Sequence, residues 1–311
     1  MFKYHVFALL LGTILEFFFG RIYSIWNPME TIDRFVKYLD RALLGDEIIL
    51  VEPEKQKSLG WWLIALVVIP VFLGILFFTL LCYEIAPWLG VIFEAVASYF
   101  CLDYRRLYYG GIETMEDFYS DGISSMKHSA GILMGQEDTS SSEEELTGDV
   151  IRYIANEASD SVMSPIFVMF LFGPVGGFLY KTLDIIEGRI GNYKCGNWQK
   201  EYQRYRYFGE PIVAINKVVD WLPSRFSGAL TVFAAKYTFG DFNGKNARYI
   251  HLRDRYKAVS AFAGALEIGF KGLIGEADKQ PEPKDIRRAV TLLRNCFMLN
   301  QFILVFLLLF F

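Results

Sequence analysis

Residues Leu59–Tyr83 form a run of 25 without one charged side chain, opened by Gly60-Trp61-Trp62. About 20 apolar residues suffice for a helix to cross a bilayer, and tryptophans favour the membrane–water boundary. A second run, Ser161–Tyr180, is 20 residues long and equally uncharged, but Ser164-Pro165 and Gly173-Pro174 interrupt it. Carboxylates crowd both its edges: Glu157 and Asp160 before it, Asp184 and Glu187 after it, with Lys181. These two runs restrict the chain to a membrane architecture and raise the question of what the acidic edges do.

Composition agrees. Of 311 residues, 53% are hydrophobic and 17% aromatic, and mean hydropathy is +0.27, which points to the membrane class. The formal charge of −4 and the lack of a basic tract exclude a nucleic-acid partner. Cys82, Cys101, Cys195 and Cys296 are scattered without a CxxC or Cys/His spacing, so neither a zinc site nor a disulfide framework is expected. Three histidines, His5, His128 and His251, give little support to His-based catalysis.

Further membrane segments are expected at about 5–20, 86–102 and 295–311. The opening "MFKYHVFALLLGTILEFFFG" has no small-residue cleavage site after it and reads as a retained first helix. Glu16 within it, and Glu94 within 86–102, are expensive in lipid and should face protein or water. Pro70 and Gly74 are candidate kinks in 59–83. Lys/Arg residues number six in 21–58, none in 83–86, four in 103–160 and twenty in 181–294. The positive-inside bias therefore puts 21–58, 103–160 and much of 181–294 on the cytoplasmic side. A full crossing by 161–180 would conflict with that, so a broken or re-entrant segment is expected there, its irregular backbone covered by protein or water. A further crossing at 211–235 would change the count.

The rest reads as helical. Ile32, Phe35, Val36 and Leu39 mark an amphipathic helix over 29–44. Ser142 with Glu145 forms a capping-box pattern for a helix from about 143 towards 161. Residues 276–285 read as an exposed linker, with Asp285 able to cap the last helix.

Arg152, Asn156, Glu157 and Asp160 share one helix face by their three- and four-residue spacing, and Lys181, Asp184 and Glu187 repeat it. Asn216, Asp220, Pro223 and Arg225 follow in "AINKVVDWLPSRFSG". Polar groups at the mouth of an apolar bundle suit a phosphate- or Mg²⁺-bearing substrate, since Mg²⁺ takes one or two carboxylates plus substrate oxygens and Arg takes phosphate bidentately. The same spacing also describes a solvated face or structural ion pairs, and both readings stand at this level. Gly-Pro-Val-Gly-Gly at 173–177 lacks the Gly-Lys-Ser/Thr ending of a nucleotide loop and fits a helix break. "YQRYRYF" at 202–208 reads as an interfacial aromatic and basic belt.

Several stretches occur in a telling order: "LEFFFGRIYSIWNPMETIDR", "GQEDT", "ANEASDSVMSP", "FGPVGGFLYK", "NKVVDWLPSR", "RDRY" at 253–256 and "AFAGALEIGFKG" at 261–272. The set resembles the CobD/CbiB membrane proteins of cobalamin biosynthesis, the adenosylcobinamide-phosphate synthases, over most of the chain. Asp138, Thr139, Asp160, Pro165, Tyr180-Lys181, Asp184, Pro223 and Arg225 match the family pattern. Other positions depart from it: Arg21 and Asn27 stand in the opening motif, Glu and Asn are exchanged at Asn156 and Glu157, Asn216-Lys217 replaces a paired Asp, and Asp220 replaces an Asn. "FGPVGGFLYK" and "DWLPSR" are also similar to the AmpE proteins, membrane modulators of β-lactamase induction.

The resemblance implies an all-α, polytopic helical bundle, a single domain over 1–311, in the cytoplasmic (inner) cell membrane as a multi-pass protein. It implies an amide-forming ligase that joins an aminopropanol-type side chain, phosphorylated or not, to adenosylcobyric acid. Catalytic roles then fall to Asp138, Glu157, Asp160, Asp184 and Glu187. Substrate and phosphate binding falls to Lys181, Asn216, Asp220, Arg225 and Arg253. Mg²⁺ held at Asp160 and Asp184, with ATP, would activate the carboxyl. Partners would be the corrinoid, the amino-alcohol, the bilayer and other corrinoid-pathway enzymes. The rival implication is a non-catalytic, AmpE-like signalling protein. A transporter ranks third, because no inverted repeat is visible.

Overall fold

The computed structural model describes residues 2–22, 24–45, 51–135, 142–191, 204–253, 257–270, 274–275 and 279–310. The fold is all-α. Its helices are α1 (Phe2–Phe19), α2 (Pro28–Leu44), α3 (Pro53–Ile85), α4 (Pro87–Phe100), α5 (Tyr104–Asp121), α6 (Ile123–Met134) and α7 (Glu143–Ala158), then α8 (Ser164–Ile186), α9 (Glu210–Val219), α10 (Trp221–Tyr237), α11 (Gly244–Arg253), α12 (Lys257–Leu266) and α13 (Pro283–Phe310). Two π-helical turns, Ser159–Met163 and Glu187–Gly191, flank α8. The strands described, β1 (Gly269–Phe270) and β2 (Ile274–Gly275), pair antiparallel.

Among the described residues three stretches are long and apolar enough to cross a membrane: Pro53–Ile85, Glu143–Gly191 and Pro283–Phe310. They contain three of the five expected segments. The other two fall in α1 and α4, which are helical but not among these stretches; α4, at 14 residues, spans only about 21 Å. Residues 211–235 are divided between α9 and α10 at Asp220. Much of the apolar surface of α3 is exposed, including Trp61, Trp62, Leu73, Phe77, Phe78 and Leu80. A helix this apolar and this uncovered needs lipid rather than water around it.

The chain divides into two compact units. The first comprises Met1–Gly12, Ile22–Cys101 and Val168–Trp221; the second comprises Thr13–Arg21, Leu102–Phe167 and Leu222–Phe311. In the first unit α2, α4 and α9 pack on α3. Asn27 caps α2 by accepting from Met29 N at 2.8 Å, and Pro28 suits the first helical position. Ile32, Val36, Leu39 and Leu44 are buried, whereas Phe35, on the expected apolar face, is exposed. α3 meets the turn leading into α9 so closely that a Cβ on Gly60 would overlap the Phe208 carbonyl.

The stretch with Gly173-Pro174 also lies in this unit. α8 runs helically from Ser164 to Ile186 except at Gly173, whose φ of 67° and ψ of −165° are non-helical and produce a kink. Such a φ is routine only for glycine. Pro174 has no N–H, so the carbonyl four residues back, on Phe170, loses its helical partner. His5 Nε2 lies 3.1 Å from that oxygen and donates to it. His5 Nδ1 hydrogen-bonds Glu94 Oε1, and Tyr83 OH donates to Glu94 Oε2 at 2.6 Å. Glu94 therefore does face protein, as its cost in an apolar helix requires.

In the second unit α5, α7 and α12 pack on α13, α6 packs on α5 and α7, and α11 packs on α12. Leu107, Met126, Leu146, Ile151, Ile154, Phe262 and Phe297 are fully buried. Tyr104 stacks on Phe297 with centroids 4.1 Å apart, and Phe17 stacks on both. The Ser142 hydroxyl caps α7 by accepting from Glu145 N at 3.3 Å. Asp285 is not the cap of α13 but its third residue; its Oδ2 reaches back to Glu282 N at 3.1 Å, one half of a capping box. Glu16 accepts from Arg105 N at 2.9 Å, serving the start of α5.

The kink yields a stability prediction. His5→Ala removes one donor to the Phe170 carbonyl and one of the two described partners of the buried Glu94 carboxyl, which costs about 3 kcal/mol. Glu94→Gln keeps polar atoms facing both His5 and Tyr83 and should cost less. Thermal unfolding of the detergent-solubilised protein checks this; equal losses for the two variants would contradict it.

Candidate functional site

The acidic edges of the uncharged run fall on the two π turns. Asp160 is the second residue of Ser159–Met163, and Glu187 is the first of Glu187–Gly191. In the former, Ser164 N bonds to Ser159 O, five residues back rather than four. A π turn inserts a residue into the helical repeat, turns the following side chains to a new face, and is enriched at functional sites.

In the first unit the second π turn faces α9. The Asn216 side-chain amide donates to Glu187 Oε2, and Tyr180 OH donates to Asp220 Oδ1 at 2.9 Å. These two rungs join residues seven apart on α8 and its π turn to residues four apart at the end of α9, in antiparallel order. Lys181 Nζ lies 2.6 Å from Asp184 Oδ2, and both side chains are half-buried. Arg189 forms a two-pronged ion pair with Asp33 of α2. Lys181, Asp184, Glu187, Asn216 and Asp220 thus belong to one polar seam of this unit.

In the second unit Glu157 Oε2 accepts from Ser161 Oγ at 2.5 Å, and Asp160 Oδ2 accepts from Asn156 Nδ2 at 3.0 Å. Asp103 N donates to Ser161 O at 3.1 Å. The hub here is Arg106. Its Nε reaches Asp103 Oδ2 at 3.3 Å, and its Nη1 reaches Leu133 O at 2.9 Å and Tyr153 OH at 3.2 Å. Burial opposes its charge, but Asp103, Tyr153 and Glu157 outweigh burial and raise its pKa above the ordinary arginine value. Arg106, Asp103 and Tyr153 were not singled out by spacing. The signal was present in Asp103-x-x-Arg106, a pair three residues apart at a helix start.

Arg225 and Arg253 are exposed side chains of the second unit. Arg253 lies 5.7 Å from the centre of the Tyr249 ring. Arg225 acts on His251, which also bonds the Lys257 carbonyl through Nδ1 at 3.0 Å. Asp138 lies outside the described residues. Among the described residues no group of three or more His, Cys, Asp or Glu side chains gathers as a metal site. Asp160 and Asp184 each bond a described partner, Asn156 and Lys181; a Mg²⁺ arriving on a nucleotide would need only one or two carboxylates, because that ion keeps water and phosphate oxygens as most of its ligands.

The family model described as CobD/Cbib protein matches residues 9–293. The chain belongs to the CobD/Cbib family. All the candidate residues lie inside the matched region, and His5 lies before it. Relatives of this family member include proteins called cobalamin biosynthesis protein CobD. The one from Clostridium perfringens is 23% identical over 92% of each chain, and the one from Streptococcus sanguinis is 24% identical over 92% of each. That from Listeria monocytogenes serotype 4b is 25% identical over 90% of this chain and 91% of its own. No solved structure gives a significant match.

His251 sets a pH dependence. Burial lowers its pKa below the ordinary 6.5, and the charges of Lys257 and Arg225 add to this, against the Lys257 carbonyl bond. The folded state favours the neutral ring, so the unfolded chain binds a proton first as pH falls. The stability it contributes is complete above its ordinary value and is lost below it. Unfolding temperatures compared at about pH 7.5 and about pH 5.5 should fall more for the wild type than for His251→Gln. An identical fall for both would contradict the assignment.

Proposed function

We propose that this CobD/Cbib family member acts in cobalamin biosynthesis as an amide-forming ligase, joining an aminopropanol-type amine, phosphorylated or free, to adenosylcobyric acid. The observation that carries the reading is the family match across 9–293, which contains the polar residues of both π turns. The protein would sit in the cytoplasmic membrane as a multi-pass protein, with 21–58, 103–160 and much of 181–294 on the cytoplasmic side and the corrinoid and amino-alcohol as its substrates.

ATP with Mg²⁺ would supply carboxyl activation when bound. The chain's own part is binding, orientation and proton handling. Asp160, in the second unit, or Asp184, in the first, would meet the metal. Glu157 and Glu187, with Asp138, would orient the amine and take its proton as the amide forms. Lys181, Arg225 and Arg253 would meet phosphate charge, and Asn216 and Asp220 would hold the substrate. Glu187 and Asp220 are already fixed by Asn216 and Tyr180, as a preorganised site requires.

One observation favours a second reading, a non-catalytic AmpE-like membrane modulator. Asp184, Glu187 and Asp220 all engage protein partners, as in a network that only holds helices together. Turnover by the purified protein with adenosylcobyric acid, the amine and Mg·ATP distinguishes the two. Under the ligase reading Asp184→Ala lowers turnover about 100-fold or more while membrane insertion and folding persist. Unchanged turnover removes Asp184 from the site, and no turnover by a folded wild type favours the modulator.

A further inference from the structure

The second unit carries a basic cavity distinct from the residues discussed above. It has a volume of about 440 Å³ and is lined by Lys279, Lys284, Arg287, Arg288, Asp241 and Thr291, with Gly240 and Phe242. Four cations and one carboxylate line one pocket.

The four cations are not equivalent. Arg288 is a wall. Its Nη1 donates to Asp285 Oδ1 at 2.7 Å and to Leu266 O at 3.0 Å, and its Nη2 donates to Asp241 O at 2.7 Å. Asp285 is fully buried, so this pair fixes the start of α13 against the end of α12 and the segment after α10. Lys284 pairs with Glu282 at 2.5 Å. The side chains of Lys279 and Arg287 have no hydrogen-bond or ion-pair partner among the described residues; only their backbone carbonyls accept bonds, from Gly269 and Thr291.

Helix stability does not account for this arrangement. The N-terminal end of a helix carries partial positive charge and favours carboxylates, yet Lys284, Arg287 and Arg288 occupy the first two turns of α13. The positive-inside bias explains basic residues near a membrane end, but not their gathering around a cavity with two left unpaired among the described residues. An anion in the cavity would meet Lys279, Arg287 and the favourable end of the helix. Arginine suits phosphate in particular, through its planar set of donors. The volume falls within the usual range of small-ligand sites, about 300–1,000 Å³, and exceeds what one phosphate fills.

We infer that this cavity binds a phosphate group carried on a small organic body, with Lys279 and Arg287 as its charge partners and Arg288 as the fixed wall. Two sources share this chemistry: the headgroup of an acidic phospholipid, since basic pockets beside membrane helices take such headgroups, and a soluble phosphate compound. The inference does not depend on the ligase reading.

The test uses the full chain in detergent and in nanodiscs. Inorganic pyrophosphate is titrated by calorimetry, and retention of phosphatidylglycerol against phosphatidylcholine is measured by native mass spectrometry. The combined variant Lys279→Gln/Arg287→Gln should weaken whichever probe binds by about tenfold or more, while the charge-preserving Lys279→Arg/Arg287→Lys variant retains binding. Pyrophosphate binding identifies a soluble source, and selective phosphatidylglycerol retention without it identifies the headgroup. The inference is overturned if neither probe binds the wild type, or if the neutral variant binds as the wild type does.

Discussion

The first unit turns on one carbonyl. Proline at 174 leaves the Phe170 oxygen without its helical donor, and in an apolar segment no water is at hand to replace it. His5 supplies the missing N–H from α1. Its other nitrogen binds Glu94 of α4, and Glu94 in turn binds Tyr83 of α3. Four helical segments of this unit therefore meet at the kink through one chain of hydrogen bonds. The interruption at Gly173 and the acidic residue within α4, each costly alone, offset one another.

The same economy marks the acidic edges of the uncharged run. Each edge is a π turn, and each places a carboxylate opposite a specific donor: Asp160 opposite Asn156, and Glu187 opposite Asn216. An extra residue in the helical repeat turns the side chains that follow onto a new face. One such turn lies on each side of α8, next to paired lysine, arginine and carboxylate groups. In the second unit Arg106 plays the organising part, drawing Asp103, Tyr153 and the Leu133 carbonyl around one half-buried charge.

Much of this was legible in the chain itself. Asn27-Pro28 and Ser142 with Glu145 mark helix starts because short polar side chains satisfy first-turn N–H groups, and both caps form. The apolar runs mark their helices for the same reason of composition. Boundaries were less visible: α3 begins at Pro53, several residues before its uncharged part, because a helix continues into charged turns outside lipid. The π turns left no periodic signal, since one inserted residue is lost within the tolerance of a helix pattern. The role of His5 was hidden because its partners lie 89 and 165 residues away. The seam residues Lys181 and Asp184 were found by spacing, whereas the pairing of Glu187 with Asn216 depends on how α9 packs, which spacing does not encode.

The claim that these polar residues belong to a living ligase is tested most directly in a cell that lacks its own synthase. A synthase-null, cobalamin-dependent strain fed adenosylcobyric acid should grow when this chain is expressed, and its extracts should contain the adenosylcobinamide product. Failure to grow, with the protein shown to be inserted and stable, would contradict the ligase reading and leave a CobD/Cbib family member that acts without this reaction.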